Sequence, residues 1–131
     1  MERVKQAIAS GDLFAKYVGI ELIEADKGYA KVKMVIKDHH LNGAHIVHGG
    51  AIFTLADYAF ALAANSEDRV AIGINASIVY AQAVNQGILF AEAKEISLSY
   101  KLGNYLVTIT DDNNNVVATY QGTAYRKNEK W

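Results

Sequence analysis

The sequence predicts an α+β protein in which an antiparallel sheet wraps around one long, very apolar helix. Three observations carry that expectation. Strand-like runs with period-two alternation lie on both sides of a helix-forming stretch from Gly49 to Asn65. That stretch is apolar on nearly every side, so its whole circumference needs cover. The chain has 131 residues, 51% of them hydrophobic, which is enough for one domain with a real core and too little for two.

The elements follow in order. Residues 2–16 show helical spacing, with Val4, Ala7 and Ile8 followed by Leu13 and Phe14. Gly19 and the alternation from Ile20 to Glu24 begin a strand, and Asp26, Lys27 and Gly28 read as a turn. From Tyr29 to Ile36, Ala30, Val32, Met34 and Ile36 share one face while Lys31 and Lys33 take the other, which makes a first hairpin. Residues 38–48 read as a loop. Beyond the long helix and Ser66–Asp68, strands are expected near 70–81, 88–101, 103–111 and 116–127. Gly103–Asn104 and Asp111–Asn115 supply turns between the later ones.

Composition removes several function classes. Lys and Arg number 13 against 14 Asp and Glu, so no basic excess points to nucleic acid. There is no cysteine, which excludes disulfides, thiolate catalysis and Cys-ligated zinc. The most apolar stretch, Ile46–Ala64, is too short to span a membrane and carries His48 and Asp57. Met1 opens onto mixed charge and not onto a signal peptide. The expectation is a soluble, cytoplasmic protein without membrane or nucleic-acid partners.

With Asp57 set at zero and 100° per residue, Ile52, Leu55, Ala59, Leu62 and Ala63 cluster on the far side of the helix, the natural face for a sheet. Gly50, Ala61 and Ala64 surround Asp57, with Phe53 and Phe60 beside them. One sheet cannot cover both faces, so the second cover is most simply a copy of the same chain, and a homodimer is expected. Most helix acids are merely solvated. Here an apolar setting makes solvation costly, and an unpaired buried carboxylate persists where function requires it. At the helix start, Gly49 and Gly50 expose amide N–H groups with no intrahelical partner, reinforced by the helix dipole, which makes an oxyanion site. A tight turn is the plainer explanation of a Gly-Gly pair. Eight residues separate Gly49 from Asp57, about 12 Å at ~1.5 Å per residue. That is too far for one active site within one chain, and an antiparallel neighbouring helix brings Asp57 of one copy opposite Gly49 of the other.

The stretch from Leu41 to Asp57, containing Asn42, His48-Gly49-Gly50 and Leu55-Ala56-Asp57, resembles the signature of the phenylacetate-degradation (PaaI-type) branch of hot-dog-fold thioesterases. Ala63-Ala64-Asn65-Ser66 continues the likeness, and the order of elements matches the fold along nearly the whole chain. The resemblance implies an acyl-CoA thioesterase that releases free acid and coenzyme A. The Gly49 amide would polarise the thioester carbonyl, His48 would orient the loop or touch the thioester, and Asp57 of the partner would be nucleophile or general base. Asn42 would position water or carbonyl. It also implies a homotetramer of two dimers with shared active sites, and no metal or other cofactor, coenzyme A being part of the substrate.

Candidate substrate contacts are Gly50, Thr54, Tyr58, Tyr80 and Arg126. Tyr58 stands where a threonine is common. Tyr80–Val84 lacks the basic residue and proline often seen after that strand, which leaves Arg126 and Lys127, or Lys101, as candidates for the coenzyme A phosphates. Phe53, Tyr58 and Phe60 raise an aryl acyl group as one option. Against a metal site at His39, His40, His45 and His48 stand the missing cysteines and the single adjoining carboxylate, Asp38. Asp111–Asn115 lacks the alternation of a calcium loop. Two other classes remain as alternatives: a non-catalytic acyl-CoA binding or sensing protein, and a dehydratase acting on a hydroxyacyl thioester, whose motifs are not visible.

Overall fold

A computed structural model describes residues 1–131. Six strands form one antiparallel sheet in the order β1-β2-β4-β5-β6-β3: β1 (Ile20–Asp26), β2 (Tyr29–Val35), β3 (Arg69–Tyr80), β4 (Ile88–Leu98), β5 (Leu102–Thr110) and β6 (Val116–Lys130). The long helix α3 (Gly49–Ala64) lies in the concave face of this sheet and packs against every strand. The alternation in β2 holds as expected, with Ala30, Val32 and Met34 fully buried beneath α3 and Lys31 and Lys33 on the outer face. On the helix, Ile52, Leu55, Ala59, Leu62 and Ala63 are all buried against the sheet.

The N-terminal segment departs from the single helix expected over residues 2–16. A short α1 (Glu2–Val4) runs into a π-helical turn (Lys5–Ser10), the chain breaks at Gly11, and a separate α2 (Leu13–Val18) follows. Gly11 packs on the carbonyl of Ala7, where a Cβ would collide. Asp12 then caps α2 by accepting the Ala15 N–H at 3.0 Å. The helical spacing of Leu13 and Phe14 does not mark a core face: they are 75% and 62% exposed, and Ala15 is the residue buried.

The two ends of α3 are tied down differently. At its C-terminal end, Asn65 accepts the Ala71 N–H (2.8 Å) and the indole N–H of Trp131 (3.1 Å) and donates to the Ala61 carbonyl. Ser66 accepts the N–H of Gly28 at 2.7 Å, which anchors the β1–β2 turn. Mid-helix, the Phe60 ring occupies a slot between β3 and β6 that is open only because Gly73 and Gly122 line it. A Cβ on either would sit about 3 Å from the ring. At the start of α3, the loop from β2 is held by a bridge between Leu41 and Val47, by Val47 N–H to Val84 O, and by His48 N–H to His40 O.

Candidate active site

That loop delivers His48 as the N-cap of α3. Its Nδ1 accepts the Gly50 N–H at 2.8 Å, and its carbonyl accepts the amides of Ala51 and Ile52. Because Nδ1 is the acceptor, the neutral His48 ring carries its proton on Nε2. The Gly49 N–H makes no hydrogen bond in the chain, so of the two glycine amides it is the one free to meet an oxyanion. Tyr80, at the end of β3, donates its hydroxyl to the Gly49 carbonyl at 3.0 Å. Gly49 and Tyr80 line a cleft of about 340 Å³ with Asn42 and the segment after β3. The Asn42 side-chain Oδ1 accepts the amides of Ala44 and Ile46, which leaves its side-chain N–H groups without a partner in the chain.

Asp57 sits two turns further along α3 and lines a different cleft, with Phe60, Tyr120 and the β3 residues Gly73–Ala76. In the single chain this carboxylate reaches solvent, and Tyr120 of β6 donates to its Oδ1 at 3.1 Å. The apolar packing around it, more than its open surface, governs its ionisation. Partial burial pushes its pKa above the ordinary carboxylate value, the Tyr120 hydrogen bond pulls it down, and Asp12 adds to the rise. Such a group holds its proton more tightly than a free carboxylate does, which suits acid–base work. Sequence reasoning missed Tyr120. The alternation of Ala118, Tyr120 and Gly122 places it on the inner face, but nothing local says that a residue 63 positions from Asp57 bonds to it.

The other candidates divide. Gly50 and Thr54 lie with His48, Ala51, Phe14 and Tyr17 along a groove between α2 and α3, and Thr54 donates to the Gly50 carbonyl at 2.7 Å. Tyr58 is 4% exposed and part of the core, as is Phe60 at 3%. Arg126 lines neither cleft; its guanidinium donates to Ser99 O and its amide to Lys101 O, at the β4–β5 turn. The four histidines form no three-ligand cluster with each other or with Asp38. The Asp111 carboxylate is taken up by the amides of Asn113 and Asn115, which lower its pKa. No helix is long and apolar enough to cross a membrane.

A six-stranded antiparallel sheet wrapped around one long helix is the hot-dog fold. Comparison with known proteins places the chain within it. The profile of the thioesterase superfamily matches residues 44–118. The chain is 45% identical to a putative esterase of Archaeoglobus fulgidus over 98% of its own length and 84% of that protein's. It is 34% identical to the acyl-coenzyme A thioesterase PaaI of Escherichia coli, over 92% of this chain and 86% of that one. The solved structure of the E. coli PaaI protein superposes with a TM-score of 0.93 at 31% identity, covering 98% of this chain and 94% of that one. This chain belongs to the thioesterase superfamily, is PaaI-like, and is a thioester hydrolase.

Proposed function

We propose that the enzyme hydrolyses acyl-coenzyme A thioesters to free acid and coenzyme A, in sites shared between two copies of the chain. The observation that carries this is the division of the machinery: an unbonded Gly49 N–H in one cleft and an ionisable Asp57 in another, about 12 Å apart along one helix at ~1.5 Å per residue. Strand β3 supports joining them across a dimer. It pairs only with β6, and Ile72, Ile74, Val79 and Tyr80 on it are each half exposed or more. An open, apolar edge of this length is a template for a second strand. Antiparallel pairing of two β3 edges carries the Tyr80 end of one copy toward the Gly73–Ala76 segment of the other. Gly49 of the first copy then faces Asp57 of the second.

In such a site the Gly49 amide receives the thioester oxygen. Asp57 either takes a proton from water, whose oxygen adds to the carbonyl carbon, or adds there itself and is freed by water afterwards. Collapse of the tetrahedral intermediate breaks the C–S bond; in the first route the departing thiolate takes the proton held by Asp57, and in the second it leaves unprotonated and is neutralised by the proton released when water cleaves the acyl–aspartate anhydride. His48 fixes the turn, Asn42 offers its free N–H groups to water or carbonyl, and no metal is used. The groove beside His48 and Thr54 holds Phe14 and Tyr17, 62% and 82% exposed, which supports an aryl acyl group. A homotetramer of two such dimers and a cytoplasmic location complete the reading.

The test is a panel of short, medium, long and aryl acyl-CoAs, assayed for release of free thiol. Turnover of one class with thiol released in step with free acid is expected. Binding without release would mean a sensing protein, and loss of water with the thioester intact a dehydratase.

A further inference from the structure

Tyr120 is 1% exposed, and its hydroxyl has one partner in the chain, Asp57 Oδ1. A phenol buried without a hydrogen bond is costly, so a phenylalanine would be the cheaper choice at this position unless the hydroxyl is used. The ring has little freedom. Phe53 meets it edge-on at 5.4 Å, Phe60 lies against it at 5.8 Å, and a side chain at Gly122 would strike both it and Phe60. Phe53 and Phe60 flank Asp57 on the same helix, so the aromatic frame and the carboxylate are set on one rigid element. A hydroxyl aimed in this way selects one rotation of the Asp57 carboxylate. Oδ1 is held by β6, and Oδ2 has no partner in the chain.

We propose that Tyr120 is a positioning residue for Asp57: its hydroxyl pins Oδ1 so that Oδ2 alone faces the reacting atoms. The inference rests on the reading of Asp57 as the carboxylate of the reaction. At 3.1 Å the bond is longer than a tight phenol–carboxylate contact, so it directs the group more than it neutralises it. Of the elements packed around Asp57, β6 contributes Tyr120 and the segment before α2 contributes Asp12, while the Gly73–Ala76 stretch of β3 bears no charge. Tyr120 is thus the group near Asp57 that favours its ionised form, because a hydrogen bond donated to a carboxylate stabilises the charge.

The test is Tyr120→Phe, which keeps the ring and removes the bond. We expect kcat to fall about tenfold, the size of one lost hydrogen bond to a charged group, with KM within about twofold. The acid limb of the kcat/KM profile should move to higher pH, since Asp57 loses its stabilising donor. A purely structural tyrosine would not shift that limb. Site-specific 3-fluorotyrosine at 120 retains the shape and donates more strongly, so it should move the limb the opposite way; this arm stands even if the phenylalanine variant folds poorly. With Asp57→Asn inactive, an unmoved limb in both Tyr120 forms and a kcat near wild type would overturn the inference. An active Asp57→Asn enzyme would instead remove Asp57 from the reaction, and the proposed function would fail first.

Discussion

The hydroxyl of Tyr80 donates to the carbonyl of Gly49 across 3.0 Å, and its ring covers the side of Gly49 from which a side chain would project. An added Cβ there would lie 3.1 Å from Cζ of the ring, tight enough that one of the two must give. Gly49→Ala should therefore displace the free amide and lower kcat/KM by about ten- to a hundredfold, less than outright deletion of an oxyanion donor. Tyr80→Phe keeps the ring, and its kcat/KM should stay within about threefold of wild type. Steady-state kinetics on both variants decide the matter. An unimpaired Gly49→Ala enzyme would move the oxyanion site elsewhere.

Asp57→Asn should reduce kcat by about two orders of magnitude or more. The same change should stabilise the fold at neutral pH. The folded-state pKa of Asp57 lies above its ordinary value, so the native state disfavours the ionised form. The penalty is absent while the group is protonated in both states. It grows as pH rises from the ordinary carboxylate range through the raised value, and persists above it. Melting temperatures of the two proteins should converge in acid and separate near neutrality, with the variant higher. A lower Tm for Asp57→Asn at neutral pH would contradict the direction of the shift.

His48→Ala should cost less activity than Asp57→Asn, because the Gly49 amide does the polarising and His48 chiefly holds the turn through Gly50. Prolonged dialysis against a chelator should leave activity unchanged. Activity lost to the chelator and restored by zinc would end the metal-free mechanism.

Mixing subunits tests the shared site directly. Equal amounts of an Asp57→Asn protein and a Gly49→Val protein, each nearly dead, are allowed to exchange, with mass labels on one parent to prove it. Half the dimers should be mixed, and each mixed dimer should hold one intact site. Recovery of about a quarter of wild-type activity is expected. If each Asp57 served its own chain's turn, every site would carry a defect and nothing would return despite full exchange.

Asn65→Ala should destabilise the fold without touching chemistry. It strands the part-buried Ala71 N–H and Trp131 indole N–H, which together should cost about 1–3 kcal/mol because water can still reach them in part. Trp131 is the sole tryptophan, so its fluorescence in a urea titration reports the loss. A midpoint equal to that of wild type would show that the clamp contributes nothing.

What the sequence disclosed was periodicity and local chemistry. The buried faces of β2 and α3 were legible because period 2 and period 3.6 leave different traces, and the separation of Gly49 from Asp57 followed from helix rise alone. Three things were hidden. The break at Gly11 depends on close contact with the Ala7 carbonyl, which a pattern of apolar residues does not reveal. The Asp57–Tyr120 pair depends on how β6 registers beneath α3, a long-range relation with no local signal. The hydrogen bond from the Arg126 guanidinium to the Ser99 carbonyl is likewise a contact between β6 and the β4–β5 turn with no local signal.

The slot that Gly73 and Gly122 open for Phe60 ties three distant positions into one unit of mutational change. Enlarging either glycine alone drives a methyl group into the ring, and shrinking Phe60 alone leaves a void beneath Asp57. Each single step is harmful, whereas Phe60→Leu together with Gly122→Ala refills much of the same volume. Drift at these sites is therefore expected to be concerted, and a substitution tolerated in one relative will fail when transplanted alone into another.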